Sequence, residues 1–182
     1  SILKKSCNMK IGIVGAGQMG KQLAIVFSAL GDVVLISRDI SKADAELKRS
    51  LRLAKRSSFI SEVGKFEISL ANDYSDLSSC ELVIEAVSES LKTKQIVLKQ
   101  IVKHVMSSCV IGTNTSTLSI TALSMIVADA RDRFIGCHFF NPATGIPLVE
   151  IVMGEHTSDH AKTIITDLLK DLNFSTIKVN ET

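Results

Sequence analysis

The chain has 182 residues, 46% of them hydrophobic and 22% charged, with a formal net charge of +2. That is enough apolar chain for one well-packed globular domain, and too mild a charge to argue for nucleic-acid binding. No apolar run approaches the roughly 18 residues that cross a bilayer as a helix, so a membrane role is not expected either. The opening SILKKSCNMK lacks the apolar core of a signal peptide. Residues 1–9 read as a tail or a remnant of expression, ahead of one domain over residues 10–182. The four cysteines, Cys7, Cys80, Cys109 and Cys137, show no CxxC spacing. Their scatter suits a reducing, cytoplasmic setting, with the mitochondrial matrix as the alternative.

In chain order, short β-rich runs alternate with helix-length segments. MKIGIVG precedes QMGKQLAIVFSAL, DVVLIS precedes a polar helical stretch from Ser41 to about Ser58, and ELVIEAV precedes SLKTKQIVLKQIVKHV. CVIGTNTS is followed by a helix-like piece reaching Val127, then by RFIGCHFF and LVEIVM, and SDHAKTIITDLLKDLN leads to a last strand at STIKV. This alternation predicts an α/β fold, a doubly wound and mostly parallel sheet of the Rossmann type with helices on both faces.

The first chemical signal is IGIVGAGQMGKQLA. Gly15, Gly17 and Gly20 fit GxGxxG between a strand and a helix, which is the context that the dinucleotide fingerprint needs. Gly15 permits a tight turn, Gly17 lets a pyrophosphate approach the backbone, and Gly20 lets helix and strand pack closely. Gln18 and Met19 complete the turn, where first-turn N–H groups and the helix dipole favour an anion. The second strand ends VVLISRD. Counted without gaps from Gly31, the position of the ribose-binding acid falls on Arg38, which would pair with a 2′-phosphate and leave NADP open after Ser37. A shift of one residue puts Asp39 there and favours NAD.

Three further stretches, EAVSESLKTKQ, NTSTLSI and HFFNP with LVE, stand in order behind the glycine loop. Together they resemble the amino-terminal NAD-binding domain of the L-3-hydroxyacyl-CoA dehydrogenase family, 3-hydroxybutyryl-CoA dehydrogenases included, over about residues 10–182. The resemblance implies reversible hydride transfer between C3 of a 3-hydroxyacyl thioester and a nicotinamide. By it, His138 matches the catalytic base and Glu150 its carboxylate partner. Ser116 matches the hydroxyl donor to substrate, Asn141 a residue beside the nicotinamide, and Glu89 with Lys94 contacts on the nicotinamide ribose side. The chemistry wants the same residue types: removing a hydroxyl proton as hydride leaves suits an imidazole, and a carboxylate on its other nitrogen fixes the tautomer. Such pairing also accounts for a histidine and a glutamate inside runs that otherwise read as buried strands.

The chain departs from the family pattern in three ways. It ends where the helical carboxyl-terminal domain would begin, the domain that by resemblance completes the substrate pocket and builds a homodimer. The segment from Asp39 to ELVIEA is shorter than in typical members, and Gly145, Ile146 and Pro147 stand where members carry other residues. Lys48, Arg52, Lys55 and Arg56 fall on one helical face opposite Leu47, Leu51 and Ala54. That face suits the phosphates of coenzyme A or an acidic acyl carrier, or it is a plain solvated surface. His156 and His160 stand four apart without a third ligand, so no metal is expected. Alternation sends Cys137 to the opposite face from His138, into the core. Two other readings stay open: a hydroxy-acid dehydrogenase of the 3-hydroxyisobutyrate or 6-phosphogluconate type, and a dinucleotide-binding module without catalysis.

Overall fold

The computed structural model of the chain describes residues 9–181, so Cys7 and nearly all of the expected tail lie outside the described residues. Met9 itself opens the first strand, and the ordered domain begins one residue earlier than expected. Three buried β-branched side chains and an unobstructed flank on each side favour extended chain at Met9–Val14 (β1). The helix Gln18–Phe27 (α1) follows, then Gly31–Ile36 (β2) and Ile40–Ser57 (α2). Asp39 caps α2 by accepting from Lys42 N–H, and Lys55 and Arg56 sit at its negative end. A short strand at Ile68–Ala71 (β3) then leads through a 3₁₀ turn at Tyr74–Leu77 to Leu82–Glu85 (β4).

Ser90 caps the helix Leu91–His104 (α3), which returns the chain to Val110–Thr113 (β5). The piece expected to stay helical to Val127 is only Ile120–Ser124 (α4), followed by a 3₁₀ stretch whose Ala130 leaves helical geometry. Phe134–Phe139 (β6) and Leu148–Met153 (β7) come next, then the helix Asp159–Asp171 (α5), capped by Ser158, and Ser175–Asn180 (β8).

The eight strands form one sheet in the order β3-β2-β1-β4-β5-β6-β7-β8. All neighbours run parallel except β6 and β7, so the doubly wound class stands with one antiparallel step near an edge. One apolar cluster lies against α1, α2 and α5 on one face and a second against α3 and α4 on the other. The central strands are therefore buried on both sides and read as continuous apolar runs. The chain reverses its direction of winding between β1 and β4, the place where open sheets of this kind bind ligands at their carboxyl ends.

Candidate active site

The glycine turn is built by crowding as much as by flexibility. Gly15 has φ +108°, and its N–H donates to the Ile36 carbonyl at 3.1 Å, tying the turn to β2. A Cβ on Gly20 would stand 1.7 Å from the Gly15 carbonyl oxygen, so helix and turn meet there without room for a methyl group. At Gly17 the reverse holds: nothing lies within 4 Å of a Cβ, and α1 has no side-chain cap. An open backbone cradle above uncapped first-turn N–H groups fits a pyrophosphate. Gln18 is exposed beside it, and Met19 lines the cleft that continues toward β6.

At the end of β2, Ser37 is buried, and its hydroxyl accepts from Asp39 N–H at 3.2 Å and donates to the Asp39 carbonyl at 2.9 Å. Asp39 uses its carboxylate to cap α2 at 3.0 Å, while Arg38 between them is exposed. Both candidate ribose-side residues thus stand at the strand's carboxyl end.

His138 and Glu150 face one another directly in the β6–β7 register, so both side chains leave the same face. Their Nδ1 and Oε2 atoms are 2.7 Å apart, with side-chain exposures of 25% and 33%. The two residues are half-buried at the cleft rather than sealed in the strands, and Nε2 is the nitrogen left for a ligand. Cys137, one residue earlier, is fully buried, and burial pushes its thiol up to about 12. Ser116, Asn141, Phe140 and His138 line the same cleft with Glu89 and Met19.

Glu89 holds the Thr115–Thr117 loop. Its Oε1 accepts from Thr115 Oγ1 at 2.5 Å, from the N–H groups of Ser116 and Thr117 at 2.9 and 3.1 Å, and from both of their hydroxyls. Burial would raise this carboxyl, but those donors and the Lys94 ammonium override it and bring it down to about 2. Ser116 does not cap the helix after it: Ser119 caps α4, and Thr115 accepts from Leu118 N–H. Lys94 is 1% exposed, not open at a helix start. Its ammonium lies 2.8 and 3.0 Å from the two oxygens of Glu85 and 3.5 Å from Glu89.

Glu85 went unnoticed in the sequence although it is the hub of this arrangement. Fully buried at the end of β4, it accepts from Lys94, Val87 N–H at 2.7 Å and Thr113 at 2.6 Å. Its signal was a lone carboxylate closing an otherwise apolar strand, LVIE. Two amides were also missed. Asn114 Oδ1 accepts from Phe139 N–H at 2.9 Å, and Gln22 on α1 bonds both Asn141 and Ala143.

Lys48, Arg52, Lys55 and Arg56 are all exposed on α2, with Lys48 paired to Asp44 at 2.7 Å. Among the described residues, no group of three His, Cys, Asp or Glu could hold a metal ion, and no helix is long and apolar enough to cross a membrane.

A doubly wound sheet with an open glycine cradle at its first strand and a histidine–carboxylate pair on the same edge defines a dinucleotide-binding domain. The profile of the 3-hydroxyacyl-CoA dehydrogenase, NAD binding domain family matches residues 10–182. The chain belongs to that family, and NAD is its cofactor. It is 32% identical over 181 residues to a probable 3-hydroxybutyryl-CoA dehydrogenase of Deinococcus radiodurans, covering 95% of this chain and 64% of that one. It is 34% identical over 182 residues to 3-hydroxybutyryl-CoA dehydrogenase of Clostridioides difficile, with the same coverages. The crystal structure of (S)-3-hydroxybutyryl-CoA dehydrogenase from Ralstonia eutropha superposes with a TM-score of 0.83 at 34% identity, over 97% of this chain and 65% of that one. The chain thus spans just under two thirds of the length of these relatives.

Proposed function

We propose that the domain serves hydride transfer between C3 of a 3-hydroxyacyl thioester and NAD, and the His138–Glu150 pair at the cleft carries that reading. NAD, when bound, takes up or gives back the hydride. In the oxidising direction His138 Nε2 removes the hydroxyl proton, and Glu150 holds Nδ1–H so that the imidazolium is stabilised as it forms. Ser116 donates a hydrogen bond to the substrate oxygen from a loop that Glu89 keeps in place. Asn141 stands beside the nicotinamide, and the Gly15–Gly20 turn, Gln18 and Met19 included, receives the pyrophosphate. Glu89 and Lys94 support the nicotinamide ribose side, Lys94 from below through its charge.

The exposed basic residues of α2 supply phosphate-pairing groups for coenzyme A, or for an acidic carrier of the same thioester. Homodimer formation belongs to the full-length context of the relatives. Buried thiols at Cys80, Cys109 and Cys137 support a reducing compartment, the cytoplasm or the mitochondrial matrix.

Calorimetric titration of the chain with NADH and NADPH, followed by NADH oxidation with acetoacetyl-CoA, tests this. NADH is expected to bind more tightly; tighter NADPH would give the ribose position to Arg38. His138→Gln should keep NADH affinity and lower turnover on the order of 10²-fold or more. Loss of NADH binding in that variant would make His138 structural, and no NADH binding by the unaltered chain would overturn the reading.

A further inference from the structure

We infer that Gln22, on α1, is a positioning residue that fixes which end of the Asn141 carboxamide faces the cleft, so that Asn141 presents its amino group to an acceptor oxygen on the nicotinamide half of the cofactor. The inference rests on the cofactor assignment above and concerns a residue to which that assignment gives no role.

The orientation follows from a chain of forced choices. A carboxamide has one acceptor end and one donor end, and the two look alike in shape. The Ala143 N–H can only donate, and it lies 2.7 Å from Gln22, so the Gln22 end that meets it is the oxygen, Oε1. The other end of Gln22 is then its amino group, which can only donate. It lies 3.1 Å from Asn141, so the Asn141 end that meets it is Oδ1. Asn141 keeps Nδ2 for the cleft that it lines with Met19, Ser116 and His138.

Asn114 follows the same rule independently. Its oxygen is committed to Phe139 N–H, which leaves its amino group on a residue lining the same cleft. The cleft is therefore lined by two amides whose acceptor ends are both engaged elsewhere, and it favours a ligand that brings acceptor oxygens.

The position on α1 selects the cofactor as the source of that oxygen. Gln22 lies five residues beyond Gly17, about 7 Å along the axis at ~1.5 Å per residue. Asn141 is tied to the helix at that height, next to the point where a nucleotide leaving the pyrophosphate turn enters the cleft. A molecule seated on the turn reaches this place with its nicotinamide ribose and carboxamide, both rich in acceptor oxygens.

Gln22→Glu and Gln22→Leu separate orientation from tethering. The glutamate keeps the bond from Ala143 N–H but offers Asn141 only oxygen, so Asn141 must turn over and aim Oδ1 into the cleft. The leucine frees Asn141 to choose either end. We expect NADH affinity, measured by calorimetry on the 182-residue chain, to fall about tenfold in Gln22→Glu and to stay within about threefold in Gln22→Leu. In an Asn141→Ala background, Gln22→Glu should have no further effect. Melting temperatures report whether each variant folds, and Asn141→Asp, which offers oxygen at either end with Gln22 intact, should reproduce the loss if Gln22→Glu does not fold.

A Gln22→Leu loss larger than that of Gln22→Glu would mean a mere tether and overturn the inference. A Gln22→Glu loss that persists with Asn141→Ala would mean repulsion of the cofactor by the new charge, and also overturns it. Failure of the unaltered chain to bind NADH would instead bring down the cofactor assignment beneath it.

Discussion

Gly17 and Gly20 stand three residues apart in one turn, yet a methyl group added to each has a different fate. At Gly20 the new Cβ meets the Gly15 carbonyl oxygen at 1.7 Å, so Gly20→Ala must push the turn away from α1. We expect it to lower the melting temperature and to weaken NADH binding together. Gly17 has φ −69° and ψ −171°, which alanine adopts without strain, and open space at its Cβ. Gly17→Ala should melt within about 0.5 kcal/mol of the unaltered chain and still lose NADH affinity, because the methyl group stands in the pyrophosphate's place. Equal melting losses in the two variants would mean that both glycines serve packing only. These glycines were legible because their spacing follows a strand, and His138 with Glu150 because of the HFFNP context. Gln22 was not legible, since its partners lie 119 and 121 residues away and neither periodicity nor local spacing carries such a contact.

The helix boundaries at Asp39, Ser90 and Ser158 were foreshadowed by capping residues ahead of amphipathic runs. β3 escaped notice because it is a four-residue edge strand, only partly buried, so its sequence shows no sustained alternation. Register, by contrast, came out of the fold: only the antiparallel β6–β7 pairing puts His138 opposite Glu150. The loop after β5 shows how one carboxylate can hold an element. Glu89, brought from its ordinary 4.5 to about 2, favours the folded chain in its ionised form. Its contribution is complete above pH 4.5 and drains away as the pH falls toward 2. At 36% side-chain exposure solvent screens part of this, so Glu89→Gln should cost about 1 kcal/mol near neutral pH. The variant should also lose stability less steeply than the unaltered chain between pH 4.5 and 2, as followed by circular dichroism. Parallel acid limbs would show that the loop is held by its hydroxyl contacts and not by the charge.

At the scale of the molecule, the cleft draws on the ends of five strands: the glycine turn after β1, the Ser37–Asp39 corner after β2, Ala86 to Glu89 after β4, the loop after β5, and β6 with its following Asn141. Alternating strands and helices made the class of fold legible, whereas the side-by-side placement of β1 and β4 depends on crossovers that no local pattern encodes. A ligand that touches elements from both halves of the sheet binds only when both halves are folded. NADH should therefore stabilise the whole domain through mass action, by about 2.7 kcal/mol when present at a hundredfold excess over its Kd. For a chain of this length that is a rise of roughly 5–10 °C in a melting curve, growing with the logarithm of concentration thereafter. Gly17→Ala, with its fold intact and its cradle filled, should show no rise at the same NADH concentration. A rise of equal size in that variant would place the cofactor away from the glycine turn, since the added methyl group touches nothing else.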